Sequence, residues 1–250
     1  LHISDTHIGY PLRERSDQYN QSTVRWIDEI DCLTQFRKAM EMAVEREVDA
    51  VIHTGDVFDD VVDTDHLNEF RDILENTVGE ADIPFYYILG NHDPENARME
   101  LKSAESAGLA KHLSRRTPTQ VGENVFLYGT DYHKPDWWET PPSKFDDGVP
   151  EGSYRVLCLH ESISPVCPSR KRSADIPLER IVESSNIDFD LIALGNEHDV
   201  HEERYPSGYD CMAFYPGPAE RISNKYRDKP ASVNLYTFSE DITRERLEVT

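Results

Sequence analysis

Residues 50–59 read AVIHTGDVFD and give the clearest local signal of the fold. This stretch begins with an apolar run typical of a buried strand, and Gly55 ends that run with a sharp turn. Apolar residues recur on one helical face at residues 32–47 and again after residues 63–64, where either Asp63 or Thr64 is available to cap a second helix. The apolar run Phe85–Leu89 follows. Strands that alternate with helices in this way predict a parallel sheet with helical crossovers.

The second half of the sequence has a different pattern, with several strand candidates and one helix candidate, Pro177–Glu183. The strand candidates are Val125–Tyr128, Arg155–Leu159, Leu191–Leu194 and Val233–Phe238. Asp131–Gly152 separates the halves and contains four prolines, which disfavour regular structure. The predicted fold class is therefore α/β, with two sheets sandwiched between helices.

Polar side chains of the metal-ligand type follow five of the apolar runs. They lie in Asp5-Thr6-His7, Gly55-Asp56, Gly90-Asn91-His92-Asp93, His160 and Gly195-Asn196-Glu197-His198. Residues two apart in an extended strand project to the same face, so Asp5 and His7 are expected to reach one cation together. Ligand sites in α/β sheets collect beyond the carboxyl ends of strands. One such side chain alone would indicate a helix cap, a turn or a core histidine, whereas the five segments together predict a metal site.

The charges of this predicted site favour two divalent cations acting on a phosphate. Asp56 can bridge two metals roughly 3.5–4 Å apart. Asp5 and Asp56 offset part of the cation charge and leave about +2 for a bridging hydroxide and a phosphate, as displacement at phosphorus requires. His92 is the candidate to protonate or stabilise the leaving oxygen, with Asp93 as its candidate orienting partner. A structural role is the competing interpretation of His92.

Two further features have competing interpretations. Arg170, Lys171 and Arg172 form a dense basic run that fits either contact with a phosphate backbone or a solvated loop. Trp137 and Trp138 suit stacking on unpaired bases or a partner surface, although a pair of loop anchors is the more common case.

The formal net charge is −22, from 48 acidic against 26 basic residues spread along the chain. A dispersed acidic surface is typical of a protein that works in high salt, where charges are screened within about 3 Å at 1 M. The competing interpretation is a protein that avoids nucleic acid, because nucleic-acid binders are usually basic. Four widely spaced cysteines without a CxxC pair indicate reduced thiols of a cytosolic protein. No apolar stretch is long enough to span a membrane.

The polar segments resemble the calcineurin-like metallophosphoesterases. The segments Ser4–Gly9, Gly55–Asp59, Leu157–Glu161, Ile192–His198 and Tyr215–Arg221 look most like the SbcD-type nuclease subunit of double-strand-break repair. The resemblance implies a metallophosphoesterase-type sandwich of two mixed β-sheets flanked by helices. The resemblance implies that residues 1–250 form a nuclease domain. We expect this domain to be trimmed at its N-terminus, and a longer native C-terminus is an equally open expectation.

By this resemblance two divalent metals share the aspartate at position 56. One metal would be held by Asp5, His7, Asp56 and His198, and the other by Asp56, Asn91, His160 and the position of Asn196.

Two departures from the family pattern affect the second metal. The family usually has Gly-His-x-His where this chain has Asn196, which either ligates through its amide oxygen, a weaker ligand than imidazole, or is a plain loop residue. His201 is the alternative ligand. Asp59 stands where double-strand-break nucleases often carry a histidine. We predict a weaker second site that favours manganese over zinc.

The leading hypothesis is a manganese-dependent DNA phosphodiesterase, exonuclease or endonuclease, in cytoplasmic DNA repair. The resemblance implies a homodimer that works with an SMC-like ATPase. One alternative is a hydrolase of small phosphoesters or cyclic nucleotides with the same fold. The other is a scaffold that has lost most of its activity.

Overall fold

The computed structural model describes residues 1–10, 31–60, 62–139, 145–166, 176–198, 210–220 and 230–249. The basic run Arg170, Lys171 and Arg172 lies outside the described residues, and so does His201. Among the described residues, no helix has the length and apolar character needed to cross a membrane.

The first sheet has six strands and carries the polar segments of the N-terminal half. In spatial order they are β13 (Ile242–Glu248), β12 (Ser232–Phe238), β1 (His2–Ile3), β2 (Val51–Thr54), β3 (Phe85–Ile88) and β4 (Ala110–His112). The strands β1 to β4 run parallel, and β12 pairs antiparallel with both β1 and β13. The sheet is therefore mixed, with the predicted parallel strands at its centre.

The second sheet has five strands and is also mixed. In spatial order they are β11 (Met212–Phe214), β10 (Leu191–Gly195), β7 (Tyr154–His160), β6 (Val125–Gly129) and β5 (Thr119–Val121). All pairs are parallel except β5 with β6. A small parallel pair, β8 (Ile163–Ser164) and β9 (Ile176–Pro177), follows β7.

Four α-helices accompany the sheets in the described part of the chain. They are α1 (Cys32–Glu45), α2 (Thr64–Leu74), α3 (Glu95–Ser106) and α4 (Leu178–Ser184). A π-helical turn, Glu75–Gly79, continues α2, and a 3₁₀ turn covers Pro135–Glu139. Asp63, one of the two predicted candidates, caps α2, since its carboxylate accepts the N–H of His66.

Three apolar layers hold these elements together. Phe36 of α1 and Phe70 of α2 are fully buried against the outer face of the first sheet, with their ring centroids 5.2 Å apart. Ile88 and Val156 belong to the layer between the two sheets. Trp138 packs with α4 on the outer face of the second sheet. The predicted α/β sandwich of two mixed sheets flanked by helices is therefore confirmed.

The prediction from sequence missed α3 and the strands β4, β5, β8, β9, β11 and β13. The helix α3 buries only Ala97, Leu101 and Ala104, so its apolar periodicity is weak. The strand β13 reads ITRERLE, in which four charged residues conceal the alternation of an edge strand paired on one side only.

Candidate metal centre

The carboxyl ends of β1, β2, β3, β7 and β10 meet at one edge of the sandwich, and the polar segments follow them. His160 Nε2 lies 3.1 Å from Asp56 Oδ2. His198 Nε2 lies 3.5 Å from Asp5 Oδ1. Histidines from the second sheet thus meet aspartates from the first, although their segments are far apart in the sequence.

Ligand-type side chains form three overlapping groups at this edge, each with its ligand atoms within 4.8 Å of one another. The groups are Asp5, His7 and His198; Asp5, Asp56 and His160; and His7, Asp59 and His92. His198 and His92 are partly exposed, and the other members are buried. The structure therefore brings together six of the predicted site residues in one cluster.

The backbone adopts the left-handed conformation at four predicted ligands, so the expectation that Asp5 and His7 lie in an extended strand is wrong, since β1 ends at Ile3. The angle φ is +52° at Asp5, +44° at His7, +53° at Asp56 and +83° at Asn196. Each non-glycine residue in this conformation costs about 1–3 kcal/mol, and such strain collects at functional sites. The N–H of Asp5 donates to the carbonyl of Gly55 and that of His7 to the carbonyl of Asp56, each over 3.1 Å. These bonds fix the loops after β1 and β2 against each other.

Two glycines allow the backbone to approach the ligands closely. A Cβ built on Gly90 would lie 2.0 Å from Asp56 Oδ1. A Cβ built on Gly55 would lie 2.5 Å from Nδ1 of His160, and Gly55 also has a φ of +91°. A side chain at either position would displace a predicted ligand.

Unpartnered imidazole nitrogens indicate that the cluster fits a metal. Among the described residues, His7 Nδ1 and His160 Nε2 are buried and make no hydrogen bond of good geometry, and Nε2 of His160 faces only the carboxylate of Asp56, at 3.1 Å. Nδ1 of His160 lies 2.7 Å from the carbonyl of Thr54, which favours the tautomer that leaves Nε2 free to ligate. Imidazole together with carboxylate is a common donor set for divalent transition metals. The residues present therefore fit such a cation.

Charges within the cluster shift the pKa values of its members. Burial opposes the charge on His160, but the carboxylates of Asp56 and Asp5 raise its pKa to about 10. Burial lowers the pKa of His7 to about 4, against the opposing effect of Asp56. Burial also opposes the ionisation of Asp5, yet contacts with His198 and the other histidines hold its pKa below the usual range. The carboxylates thus attract positive charge, and a metal cation competes with the proton for the imidazole nitrogens.

His92 lies at the rim of the cluster and faces two acidic side chains. Its Nδ1 is 3.4 Å from Asp59 Oδ1 and 3.3 Å from Asp60 Oδ2. The contact with Asp59 raises the pKa of His92 to about 9, although partial burial opposes the shift. The ring is edge-on to that of His7, with 5.2 Å between centroids. A protonated His92 therefore lies beside a predicted ligand.

Asp93, the predicted orienting partner of His92, has its carboxylate bonded to backbone groups of two turns. The carboxylate of Asp93 instead accepts the N–H groups of Asp56, Phe58 and Gly90, over 3.2, 2.9 and 2.7 Å. Asp93 is buried, and burial raises its pKa to about 6. It fixes the turn after β2 to the turn after β3. Adjacent side chains in a turn point in different directions, so Asp93 contacts these backbone groups while His92 faces Asp59 and Asp60.

Asp59 is a functional candidate that the sequence interpretation noted only as a departure from the family pattern. It is buried and lies within reach of both His92 and His7, at 3.4 and 3.9 Å from their Nδ1 atoms. The available signal was its spacing, since it follows Asp56 by three residues in the segment GDVFD.

The two predicted asparagine ligands are placed differently from the histidines. Asn91 is exposed. Asn196 donates its backbone N–H to both carboxylate oxygens of Asp5, at 3.2 Å each, and its side-chain Nδ2 to Ser162 Oγ over 3.1 Å. Ser162 in turn donates to Glu197 Oε1 over 2.6 Å. Asn196 therefore supports the cluster with its backbone while its side chain contacts Ser162.

Comparisons with known proteins agree with this geometry. The model of the calcineurin-like phosphoesterase family matches residues 1–219. DNA double-strand break repair protein Mre11 of Methanosarcina acetivorans is 32% identical over 243 residues, which cover 96% of this chain and 36% of that protein. Mre11 of Haloferax volcanii is 32% identical over 256 residues, covering 99% of this chain and 52% of that protein. The chain thus spans between about a third and about half of the length of these relatives.

Solved structures with low sequence identity share the fold. TT1561 of Thermus thermophilus aligns with a TM-score of 0.61 at 13% identity, covering 100% of this chain and 98% of that one. GAP50 of Plasmodium aligns with a TM-score of 0.53 at 13% identity, covering 99% and 83%. The predicted resemblance is confirmed by the family match and by the relatives at 32% identity. The chain belongs to the calcineurin-like phosphoesterase family.

Proposed function

We propose that this chain is a divalent-metal-dependent phosphodiesterase that cleaves DNA in double-strand-break repair. The observation that carries the proposal is the cluster at the sheet edge, whose ligand atoms approach within 3.1–3.7 Å across both sheets. Family membership supports phosphoester hydrolysis, and the Mre11 relatives support DNA as the substrate. Residues 1–250 are proposed to form one such domain.

The cluster is proposed to hold two metals. Asp5, His7, Asp56 and His198 would form the first position, and Asp56, Asn91, His160 and the position of Asn196 the second. When bound, divalent cations polarise a phosphoryl oxygen and make a water more acidic. Oxygen and imidazole donors without thiolate suit manganese, which we propose as the native metal.

His92 is proposed to donate a proton in the reaction, and Asp59 is proposed to orient His92. A pKa of about 9 keeps His92 protonated at neutral pH. The imidazolium at the rim can then donate its proton to the leaving oxygen or stabilise the charge on that oxygen. Asp59 faces the ring at 3.4 Å and would hold it in place.

High salt is proposed as the working condition, because a net charge of −22 repels DNA when it is unscreened. The free thiols Cys32, Cys158 and Cys211 accord with the proposed cytoplasmic location. A homodimer and an SMC-like ATPase partner are retained as proposals from the family resemblance.

The test compares two substrates with the manganese-loaded chain. End-labelled single-stranded DNA and bis-p-nitrophenyl phosphate are each incubated in low and in molar salt, with and without EDTA. We expect both substrates to be hydrolysed. DNA should be cleaved more efficiently in molar salt than in low salt, and both reactions should stop when EDTA removes the metal. Hydrolysis of the small ester without attack on DNA in either salt would exclude the nuclease and leave the small-phosphoester hydrolase.

A catalytically weak scaffold is the second candidate, favoured by the contact of the Asn196 side chain with Ser162. This candidate predicts no turnover of either substrate at saturating manganese. Metal-dependent turnover of the small ester alone is sufficient to reject it.

A further inference from the structure

The loop after β6 and the loop after β4 together form a stacked surface of aromatic and cationic side chains. The ring of His133 lies on the ring of Trp137, with 3.9 Å between centroids and 9° between planes. The guanidinium carbon of Arg115 is 4.9 Å from the Trp137 ring centroid. All three side chains are partly exposed. We refer to Arg115, His133 and Trp137 as the stacked surface.

The two adjacent tryptophans have different environments. Trp138 is 1% exposed, and its Nε1 donates to Glu161 Oε1 over 3.3 Å. The ring of Trp137 is nearly perpendicular to it, at 80° and 4.8 Å, and remains at the surface. Anchoring of the loop therefore explains Trp138, whereas Trp137 packs only in part against the same apolar layer and keeps part of its ring at the surface.

The stacked surface is attached to the segment that carries His160. Glu161, the next residue, accepts the N–H of His133 over 2.8 Å with the same oxygen that Trp138 contacts. Tyr132 lies edge-on to the His160 ring, with 6.3 Å between centroids. The loop that carries His133 and Trp137 therefore contacts the segment that carries His160.

Positive charge accompanies the rings, beside the acidic residues Asp136 and Glu139 of the turn that carries Trp137, of which Glu139 pairs with Arg180 over 3.6 Å. Lys111–Arg116 contains three basic residues and no acidic residue, and Lys134 is exposed beside His133. Burial and the charge of Arg115 together lower the pKa of His133. The nearby carboxylate of Asp131 is engaged by a histidine of β4 and by a backbone N–H. The stacked surface thus combines aromatic rings with a guanidinium, as surfaces that bind unpaired nucleotides do.

We propose that the stacked surface binds an unpaired nucleotide next to the phosphate at the metal centre. The base would extend the stack of rings, and Arg115 would contact the adjoining phosphate. The inference rests on the proposed function and adds a strand preference to it. A base inside a duplex is covered on both faces by its neighbours, so this surface selects single-stranded DNA or a frayed end.

The test uses Trp137→Leu and Trp137→Phe in the manganese-loaded chain, with oligo(dT) and bis-p-nitrophenyl phosphate as substrates. We expect Trp137→Leu to lower kcat/KM for the oligonucleotide about 5- to 100-fold, mainly through KM, as loss of one base–aromatic stack does. Trp137→Phe should retain most of the activity, and hydrolysis of the small ester should be unchanged in both. Arg115→Ala should also weaken oligonucleotide binding. The matched control is Arg46→Ala, which removes one positive charge from an exposed ion pair with Glu245 and should leave oligonucleotide binding unchanged.

Two outcomes would overturn the inference while leaving the nuclease in place. One is equal oligonucleotide kinetics for Trp137→Leu and the parent, and the other is an equal loss on both substrates, which indicates a structural role. If the parent hydrolyses only the small ester, the proposed function fails separately. The inference is then decided by fluorescence anisotropy of labelled oligo(dT), where unchanged affinity of Trp137→Leu and Arg115→Ala overturns it.

Discussion

The two proposed metal positions differ in how firmly the chain holds their ligands. At the first position, Asp5 and His7 are buried, and their loop is hydrogen-bonded to the loop after β2. At the second position, His160 is equally buried, but Asn91 is exposed and the side chain of Asn196 contacts Ser162. All four side chains proposed for the first position thus belong to the cluster, whereas only Asp56 and His160 of the four proposed for the second do.

The difference has a chemical consequence for metal affinity. The first position offers two imidazoles and two carboxylates, whereas the second offers one of each and two amides. An amide oxygen is a neutral and weaker donor than imidazole for first-row transition metals. We therefore expect unequal affinities, with the first position filled at lower manganese concentration than the second.

The largest effect is expected from Asp56→Asn, which changes the carboxylate that both positions share. Each metal supplies several kcal/mol of transition-state stabilisation, so turnover of bis-p-nitrophenyl phosphate should fall about 10³-fold or more. Calorimetric titration with manganese should show weakened binding at both positions. Asp72→Asn, an exposed carboxylate on α2, is the matched control and should behave as the parent. Weakening at only one position would show that Asp56 does not bridge.

His92→Ala should separate catalysis from metal binding. We expect turnover to fall ~10²–10⁴-fold, because a positioned proton donor is lost, while manganese binds both positions as before. Asp59→Asn should have a smaller effect in the same direction, since it acts through the His92 ring. Steady-state kinetics paired with metal titration measure both quantities. Loss of metal binding in His92→Ala would make this residue a ligand rather than a proton donor.

Asn196→His tests the incomplete second position directly. A histidine tolerates the left-handed backbone found there and supplies an imidazole in place of an amide. We expect manganese affinity at the second position to rise roughly 10- to 100-fold, the scale on which single changes around a metal site act. Asn196→Ala is the matched control and should bind no more tightly than the parent. Equal titration curves for all three proteins would show that position 196 lies away from the metal.

Much of this centre could be predicted from the sequence, because its ligands follow strands in short segments. Asp56 follows a strand and a glycine, and this order predicted its place at the edge of the first sheet. His160 lies at the same edge because its strand, β7, runs parallel to both of its neighbours in the second sheet. The strong apolar periodicity of α1 and α2 likewise gave the fold class.

The unpredicted features depend on directions that a sequence does not specify. Asp93 and Asp59 are both acidic residues close to His92, and only the three-dimensional path of two turns shows which of them faces the ring. The same holds for Asn196, whose side chain turns toward Ser162 from a neighbouring segment. Sequence spacing thus identifies candidates, whereas their contacts depend on tertiary packing.

The smallest effect concerns the support of the turn that carries Asn91. The carboxylate of Asp131 accepts the N–H of Leu89, just before that turn, and faces His112 Nε2 at 2.7 Å. Partial burial opposes the charge on His112, but Asp131 raises its pKa above the ordinary value of 6.5. Its contribution to stability is therefore fully present below pH 6.5 and is lost as the pH rises through the higher pKa of the folded state.

His112→Gln should consequently lower the free energy of unfolding by at most about 1 kcal/mol, because both partners are about a third exposed to solvent. The loss should be larger at pH 5.5 than at pH 9 and should shrink in molar salt. Urea unfolding of the parent and the variant at both pH values measures it, and Asp131→Asn, which removes the charge of the partner, should abolish the same pH dependence. A difference between parent and His112→Gln that stays constant with pH would assign the contribution of His112 to its stacking on Tyr87 instead. In that case the turn beside the second position would be held by packing rather than by charge.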